Sequence, residues 1–133
     1  MQELTHIFTS SWNEYKGEGR VAICQGRPRG QPAGYKFYKP LAPSWDIIKN
    51  SENIAEYRPR YQAEILDQLD PLQVLKDLQE KAQGHTPVLM CFEVTPLHDL
   101  NFCHRTMAAE WLAEHTGITH CEMADHKQLG LAV

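Results

Sequence analysis

The segment TPVLMCFE, residues 86–93, constrains the fold of this chain more than any other. A continuous apolar run of this length, with no polar alternation, marks an interior strand covered on both faces. Strands of that kind belong to parallel sheets, which need helical crossovers. The flanking sequence supplies them. Before the run, DPLQVLKDLQEKAQG has Asp70 as an N-cap, Pro71 at the first helical position and Gly84 as a stop, with Leu72, Leu75, Leu78 and Ala82 as its buried stripe. After it, a helix is predicted from about Asn101 to Thr116, ended by Gly117, with Met107, Ala108, Trp111 and Leu112 facing inward.

Leu4–Ser10 and Arg20–Gln25 read as further buried strands, and ITHCEM (118–123) as a last one. Ser44 caps a short helix carrying Trp45, Ile47 and Ile48, and YRPRYQAEILDQL places Tyr61, Ile65, Leu66 and Leu69 at helical spacing. The Gly/Pro-dense stretch between Gln25 and Pro43 reads as one long loop without regular structure. Alternating strands and helices predict an α/β fold: a single compact domain over residues 1–133, with a mainly parallel sheet of about four strands flanked by helices.

Charge and cysteine usage narrow the function classes. A net charge of −4 argues against wholesale binding to a phosphate backbone. Residues 1–62 nevertheless balance at +3 and residues 63–133 at −7, and Lys16, Arg20, Arg27, Arg29, Lys36 and Lys39 crowd one early stretch. Such a run is either a solvated face or an anion-facing surface. The apolar runs are too short to span a bilayer, and the start lacks the basic and apolar regions of a signal peptide, so no membrane contact is expected. Four widely spaced cysteines without a CxxC pair fit free thiols in a reducing cytoplasm.

The chemistry-bearing residues gather where the apolar strand gives way to the next helix. In open α/β sheets, ligands collect at the carboxyl ends of strands. Cys91 and Glu93 fall there, and Cys103, His104 and Arg105 open the following helix. With Asn101 as N-cap, the first-turn amides and Arg105 favour negative charge, either a reactive Cys103 thiolate or a bound phosphate or carboxylate. Glu93 or His104 would move a proton. The bland readings are equally concrete: a cysteine is more often a small buried hydrophobe, and Arg105 can simply pair with Glu110 or another acid. Arg58 and Arg60, flanking Pro59 between Tyr57 and Tyr61, form a second candidate for anion binding, because Pro59 suits a helix's first turn. The alternative is that Tyr61 is core and the arginines pair with Glu56 or Glu64.

Cys91, His98, Cys103, His104, His120, Cys121 and His126 all lie in the last third of the chain, and such ligands suit zinc. No compact CxxC or HxxxH pair nucleates a site, and adjacent Cys103 and His104 should diverge on a helix. No metal or other cofactor is therefore expected, and a zinc-stabilised structural domain is the weaker alternative.

Taken together, YRPRY, LDPLQVLKDL, PVLMCFE, HDLNFCHRTMAAEWL and TG at their observed spacing resemble the domain-of-unknown-function 488 family, in the branch with a basic Gly/Pro loop (CQGRPRG, YKPLAP). The resemblance implies a compact α/β domain with an active pocket, in a set of enzymes acting on nucleotides or nucleic acid. By motif match it carries over Cys91, Glu93, Cys103, His104 and Arg105, with Tyr57, Arg58 and Tyr61. The link from Glu93 to Cys103 is longer here than in the family's shorter forms. The expected protein is an enzyme whose pocket of Glu93, Cys103, His104 and Arg105 takes an anionic small molecule, nucleotide or nucleic acid. The loop from Arg27 to Lys39 would cover it, offering Tyr35, Phe37 and Tyr38 for stacking. The alternative is a non-catalytic module that binds a phosphate-bearing partner.

Overall fold

Val88–Cys91, the middle of the apolar run, forms strand β4 and is buried at every position. In the computed structural model, which describes residues 4–128, it pairs in parallel with β1 (His6–Ser11) on one side and β2 (Arg20–Ala22) on the other. Strand β3 (Lys36–Phe37) extends the sheet beyond β2, and β5 (Thr119–Glu122) extends it beyond β1. The sheet therefore has five strands, all parallel, in the order β3-β2-β4-β1-β5. The fifth is β3, which lies inside the stretch expected to be a long loop. It is only two residues long and rests on pairing with Val21 and Ala22.

Alternate residues of the central strands face two cores. Ile7, Val21 and Leu89 point toward a cluster that includes Tyr61, Leu78, Trp111 and Leu112. These come from α2 (Ile54–Glu64), α3 (Pro71–Lys81) and α4 (His104–Thr116), of which α4 packs on the sheet and α2 and α3 pack on α4. Ala22, Val88 and Met90 face a second cluster with Trp12, Met123, Tyr35 and Phe37. Met123 opens α5 (Met123–Gln128). Both faces of β4 are thus covered, as the apolar run requires.

Local signals place the helices. Ser44 Oγ accepts from Ile47 N (3.1 Å) at the start of α1 (Trp45–Asn50), and Asp70 accepts from Leu72 N (3.1 Å) at the start of α3. Gly117 ends α4 with φ 79°, a left-handed conformation in which a side chain would be strained. The buried stripe of α3 is Val74, Leu78 and Ala82, while Leu72 is 61% exposed. The i, i+4 register from Val74 carries the face, so Leu72 is corrected from the predicted stripe. Helix α2 begins at Ile54 because Asn53 accepts from Glu56 N (3.0 Å). Pro59 therefore sits inside the helix rather than in its first turn.

Glu14, just past β1, accepts hydrogen bonds from Ser11 Oγ (2.8 Å), Thr95 N (3.0 Å) and Thr95 Oγ1, tying the sheet edge to the segment after β4. Burial pushes the Glu14 carboxyl up, but these bonds outweigh it and leave it below the usual range. A group of this kind stabilises the fold above its unfolded-state value and loses that effect as pH falls through its folded value. Replacement Glu14→Ala is expected to cost about 1–3 kcal/mol at neutral pH, read by denaturant unfolding. The gap between variant and wild type should close on acidification; a gap that widens with acid contradicts the assignment.

Candidate functional site

The site lies at the carboxyl edge of the sheet. Three segments meet there: Ile23–Gly26 after β2, Cys91–Glu93 at the end of β4, and Phe102–Arg105 at the start of α4. Cys103 is the N-cap of α4, with extended backbone (φ −140°, ψ 141°). The predicted cap, Asn101, is engaged elsewhere: its Nδ2 donates to Val94 O (2.7 Å) and Pro96 O (3.1 Å), bracing the loop after β4. The cap falls two residues later than expected, and this changes the geometry of the helix's first side chains. Cys103 is extended and His104 helical, so the two converge rather than diverge.

His104 is buried. Its Nε2 donates to Ile23 O at 2.5 Å, and a carbonyl can only accept, so that nitrogen carries a proton. Nδ1 is thereby turned toward two sulfurs, Cys91 Sγ at 3.6 Å and Cys103 Sγ at 3.9 Å. Cys91 Sγ also lies 3.6 Å from Glu93 Oε1. Among the described residues, the ligating atoms of Cys91, Cys103 and His104 all lie within 4.8 Å of one another. His98 and His120 stand apart from this trio, with His98 accepting from Leu100 N, and Cys121 neighbours His6 instead. The side chain of His126 lies outside the described residues.

The electrostatics follow from burial and proximity. Burial opposes ionisation of Cys103, but the Cys91 thiol, the His104 ring and Arg105 overcome it and hold Cys103 well below the usual thiol range. Cys91 moves the opposite way, pushed up by its hydrogen bond to Cys103 and by burial. Burial lowers His104, yet the Cys103 charge and the Ile23 carbonyl raise it above its ordinary value. Desolvation, reinforced by the Cys103 charge, lifts the Glu93 carboxyl to about 7.

Arg105 does not face this site. It is fully buried; Nε and Nη2 form a bidentate pair with Glu122 (3.1 and 3.0 Å), and Nη1 donates to Glu93 O (2.7 Å). Its predicted role as the holder of a substrate anion is therefore corrected: the guanidinium is already committed. The second candidate is corrected at Arg60, whereas Arg58 borders a small recess shared with Cys103. Arg60 is bonded to Glu64 (2.8 Å) and Asp46 (2.5 Å), and Arg58 approaches Glu110 (3.8 Å) on the surface. Arg27 is exposed and lines no part of the main cavity. Much of the basic stretch is also spent on backbone carbonyls. Arg20 binds those of Gly17, Pro32 and Ala33, and Lys39 those of Cys24 and Gln25. Tyr35 packs edge-on to Trp12 and Phe37, and buried Tyr38 donates to Asp77, so none of the three predicted stacking rings (Tyr35, Phe37, Tyr38) borders the site.

A cavity of about 320 Å³ opens over the trio. Cys91, Glu93 and His104 face it, and Cys103 lines a smaller neighbouring recess. Its walls are four aromatic rings, Trp45, Tyr57, Phe92 and Phe102. Of these only Tyr57 was singled out from the sequence. Trp45 and Phe92 are 54% and 45% exposed, large apolar side chains left uncovered beside a cleft. Tyr61 is core: it is fully buried, donates to Leu41 O (2.6 Å) and packs edge-on to the His104 ring. The signal missed in the sequence was Ser44-Trp45, which puts a tryptophan on a capped six-residue helix too short to bury it.

A family model described as the active DUF488-N3 subclade matches residues 7–116, from β1 to the end of α4. The chain belongs to the DUF488 family. The match includes every member of the trio, Glu93 and Arg105, and stops short of Glu122, the partner of Arg105. None of the curated proteins and none of the solved structures compared with this DUF488 chain matches it significantly.

Two outcomes are expected. Arg105→Ala strands Glu122 in the interior and should destabilise the protein by about 3–5 kcal/mol, measured by denaturant unfolding; near-neutral stability would show that the pair is not buried in solution. In chelator-treated protein, thiolate ultraviolet absorbance should persist well below the ordinary thiol value of about 8.5, vanish on acidification, and be lost in Cys103→Ser. Replacing His104 by Ala should return the onset toward the ordinary value.

Proposed function

We propose that this protein is an enzyme whose cavity takes a flat aromatic substrate of the nucleobase or nucleotide class, with Glu93, Cys91 and His104 against the bound ring. One observation carries the reading: these three side chains and the four rings of Trp45, Tyr57, Phe92 and Phe102 line the same cavity. Stacking on aromatic side chains contributes about 1–3 kcal/mol per base and tolerates any base, because every base has a π-face. Ser51 Oγ, also on the wall, is buried with no hydrogen-bond partner among the described residues, and a polar ring edge would supply one. Glu93, with its carboxyl near 7, can hold or release a proton close to neutral pH, as general acid–base work requires. His104 is held by Ile23 O and presents Nδ1 to both sulfurs, so it acts on the sulfurs rather than directly on solvent.

A panel of nucleobases, nucleosides and nucleotides tests this, with binding read by isothermal titration calorimetry and turnover by mass spectrometry. Trp45→Ala should weaken binding roughly tenfold to a hundredfold. Glu93→Gln should keep the affinity and lose on the order of 10²–10⁴ in turnover. Saturable binding without turnover by the wild type would favour the non-catalytic module, and no binding by any member of the panel would end the reading altogether.

A further inference from the structure

The mutual distances within the trio carry a second conclusion. Zinc bound by thiolate at about 2.3 Å and imidazole at about 2.0 Å in a tetrahedron implies sulfur–nitrogen edges of about 3.5 Å and a sulfur–sulfur edge of about 3.8 Å. The observed Sγ···Nδ1 separations are 3.6 Å to Cys91 and 3.9 Å to Cys103, and all the ligating atoms fall within 4.8 Å of each other. A Cys91 thiol hydrogen-bonded to one neighbour does not require this three-way convergence.

The surroundings are those of a ligand set. A metal-bound histidine usually donates its other ring N–H to a carbonyl or carboxylate, which fixes the ring and its tautomer. His104 does so through Nε2 to Ile23 O, at 2.5 Å. All three residues are buried, and two thiolates cancel the charge of a dication, so the cation need not be held in the interior with net charge. Two sulfurs and an imidazole select zinc-class ions over magnesium or calcium, which prefer oxygen. The three ligands come from two segments braced independently, one by the β4 ladder and the other by the Arg105–Glu122 pair.

We propose that Cys91, Cys103 and His104 bind one thiophilic divalent cation of the zinc class, with its fourth coordination position opening on the cavity beside Glu93. Glu93 Oε1, 3.6 Å from Cys91 Sγ, is placed either to close the tetrahedron or to hold a water molecule there. Three protein ligands and an open position are the pattern of catalytic rather than structural zinc. A bound cation would engage both sulfurs at the floor of the cavity, with Glu93 beside it on the cavity side.

Cobalt(II) titration of the full-length, reduced, chelator-treated protein tests the site. The expected result is a thiolate-to-cobalt charge-transfer band with the visible bands of tetrahedral cobalt, saturating at one equivalent per chain and abolished by zinc. Cys91→Ser and Cys103→Ser should each weaken or remove the charge-transfer band, and Cys121→Ser should leave it unchanged. Absence of the band in folded wild-type protein overturns the proposal without recourse to any variant, and a band undiminished in both Cys91→Ser and Cys103→Ser overturns it too. Base binding measured on metal-free and zinc-loaded protein keeps the two readings separate. A cobalt band without base binding sinks the substrate reading alone, and base binding without a cobalt band sinks the metal site alone.

Discussion

The buried pair between Arg105 and Glu122 holds the functional end of this molecule together. Arg105 sits on the first turn of α4, Glu122 at the end of β5, and the remaining guanidinium nitrogen reaches Glu93 O beyond β4. Thr9 Oγ1 adds a hydrogen bond to Glu122 from β1 (2.7 Å). One cation thus joins a helix start, a strand end and the loop that follows another strand. A buried guanidinium is tolerated only when its donors are satisfied, so the pair fixes the position of the helix start as well as contributing to stability. Cys103 and His104 immediately precede Arg105 in sequence and inherit that position.

From this anchor the site follows by short steps. With the start of α4 held over the sheet edge, the His104 ring falls against Ile23 O after β2, and its other nitrogen falls against the sulfurs. The residue that the sequence suggested for holding a substrate anion therefore holds the scaffold, and the cavity walls are largely uncharged rings. Ion pairs near a pocket serve architecture or ligand, and here each of the three guanidinium nitrogens already donates to a protein oxygen.

What could be read from the sequence reflects how local each cause is. The β4 strand, the Asp70-Pro71 helix start and the Gly117 stop depend on neighbouring residues, and they were legible. Strand β3 was not, because two residues among Gly and Pro become a strand only by pairing with Val21 and Ala22. Pro59 misled because the cap that decides the start of α2, Asn53, lies well upstream of the YRPRY motif. Cys91, Glu93, Cys103 and His104 were gathered correctly at one strand end by the general rule for parallel sheets. Their directions were not recoverable, since the assumption that Cys103 and His104 diverge required Cys103 to be helical, and Asn101 was already occupied in the loop. The helix carrying Trp45 was legible, but Trp45 and Phe92 were not read as cavity walls, because an exposed aromatic acquires meaning only from the cleft it borders.

The segment from Phe92 to Phe102 has a different standing from everything around it. Its two ends are fixed by the β4 ladder and by the start of α4, while its interior is braced from within by Asn101 and the His98–Asn101 bridge and tied to the end of β1 through Thr95 and Glu14. Residues can be added or removed between those ends at an entropic cost that grows only slowly with length. The sulfur positions are insulated from such changes, but the rim of the cavity is not. A change in the length of this one loop would therefore reshape the mouth of the cavity while Cys91, Cys103 and His104 beneath it stay in register.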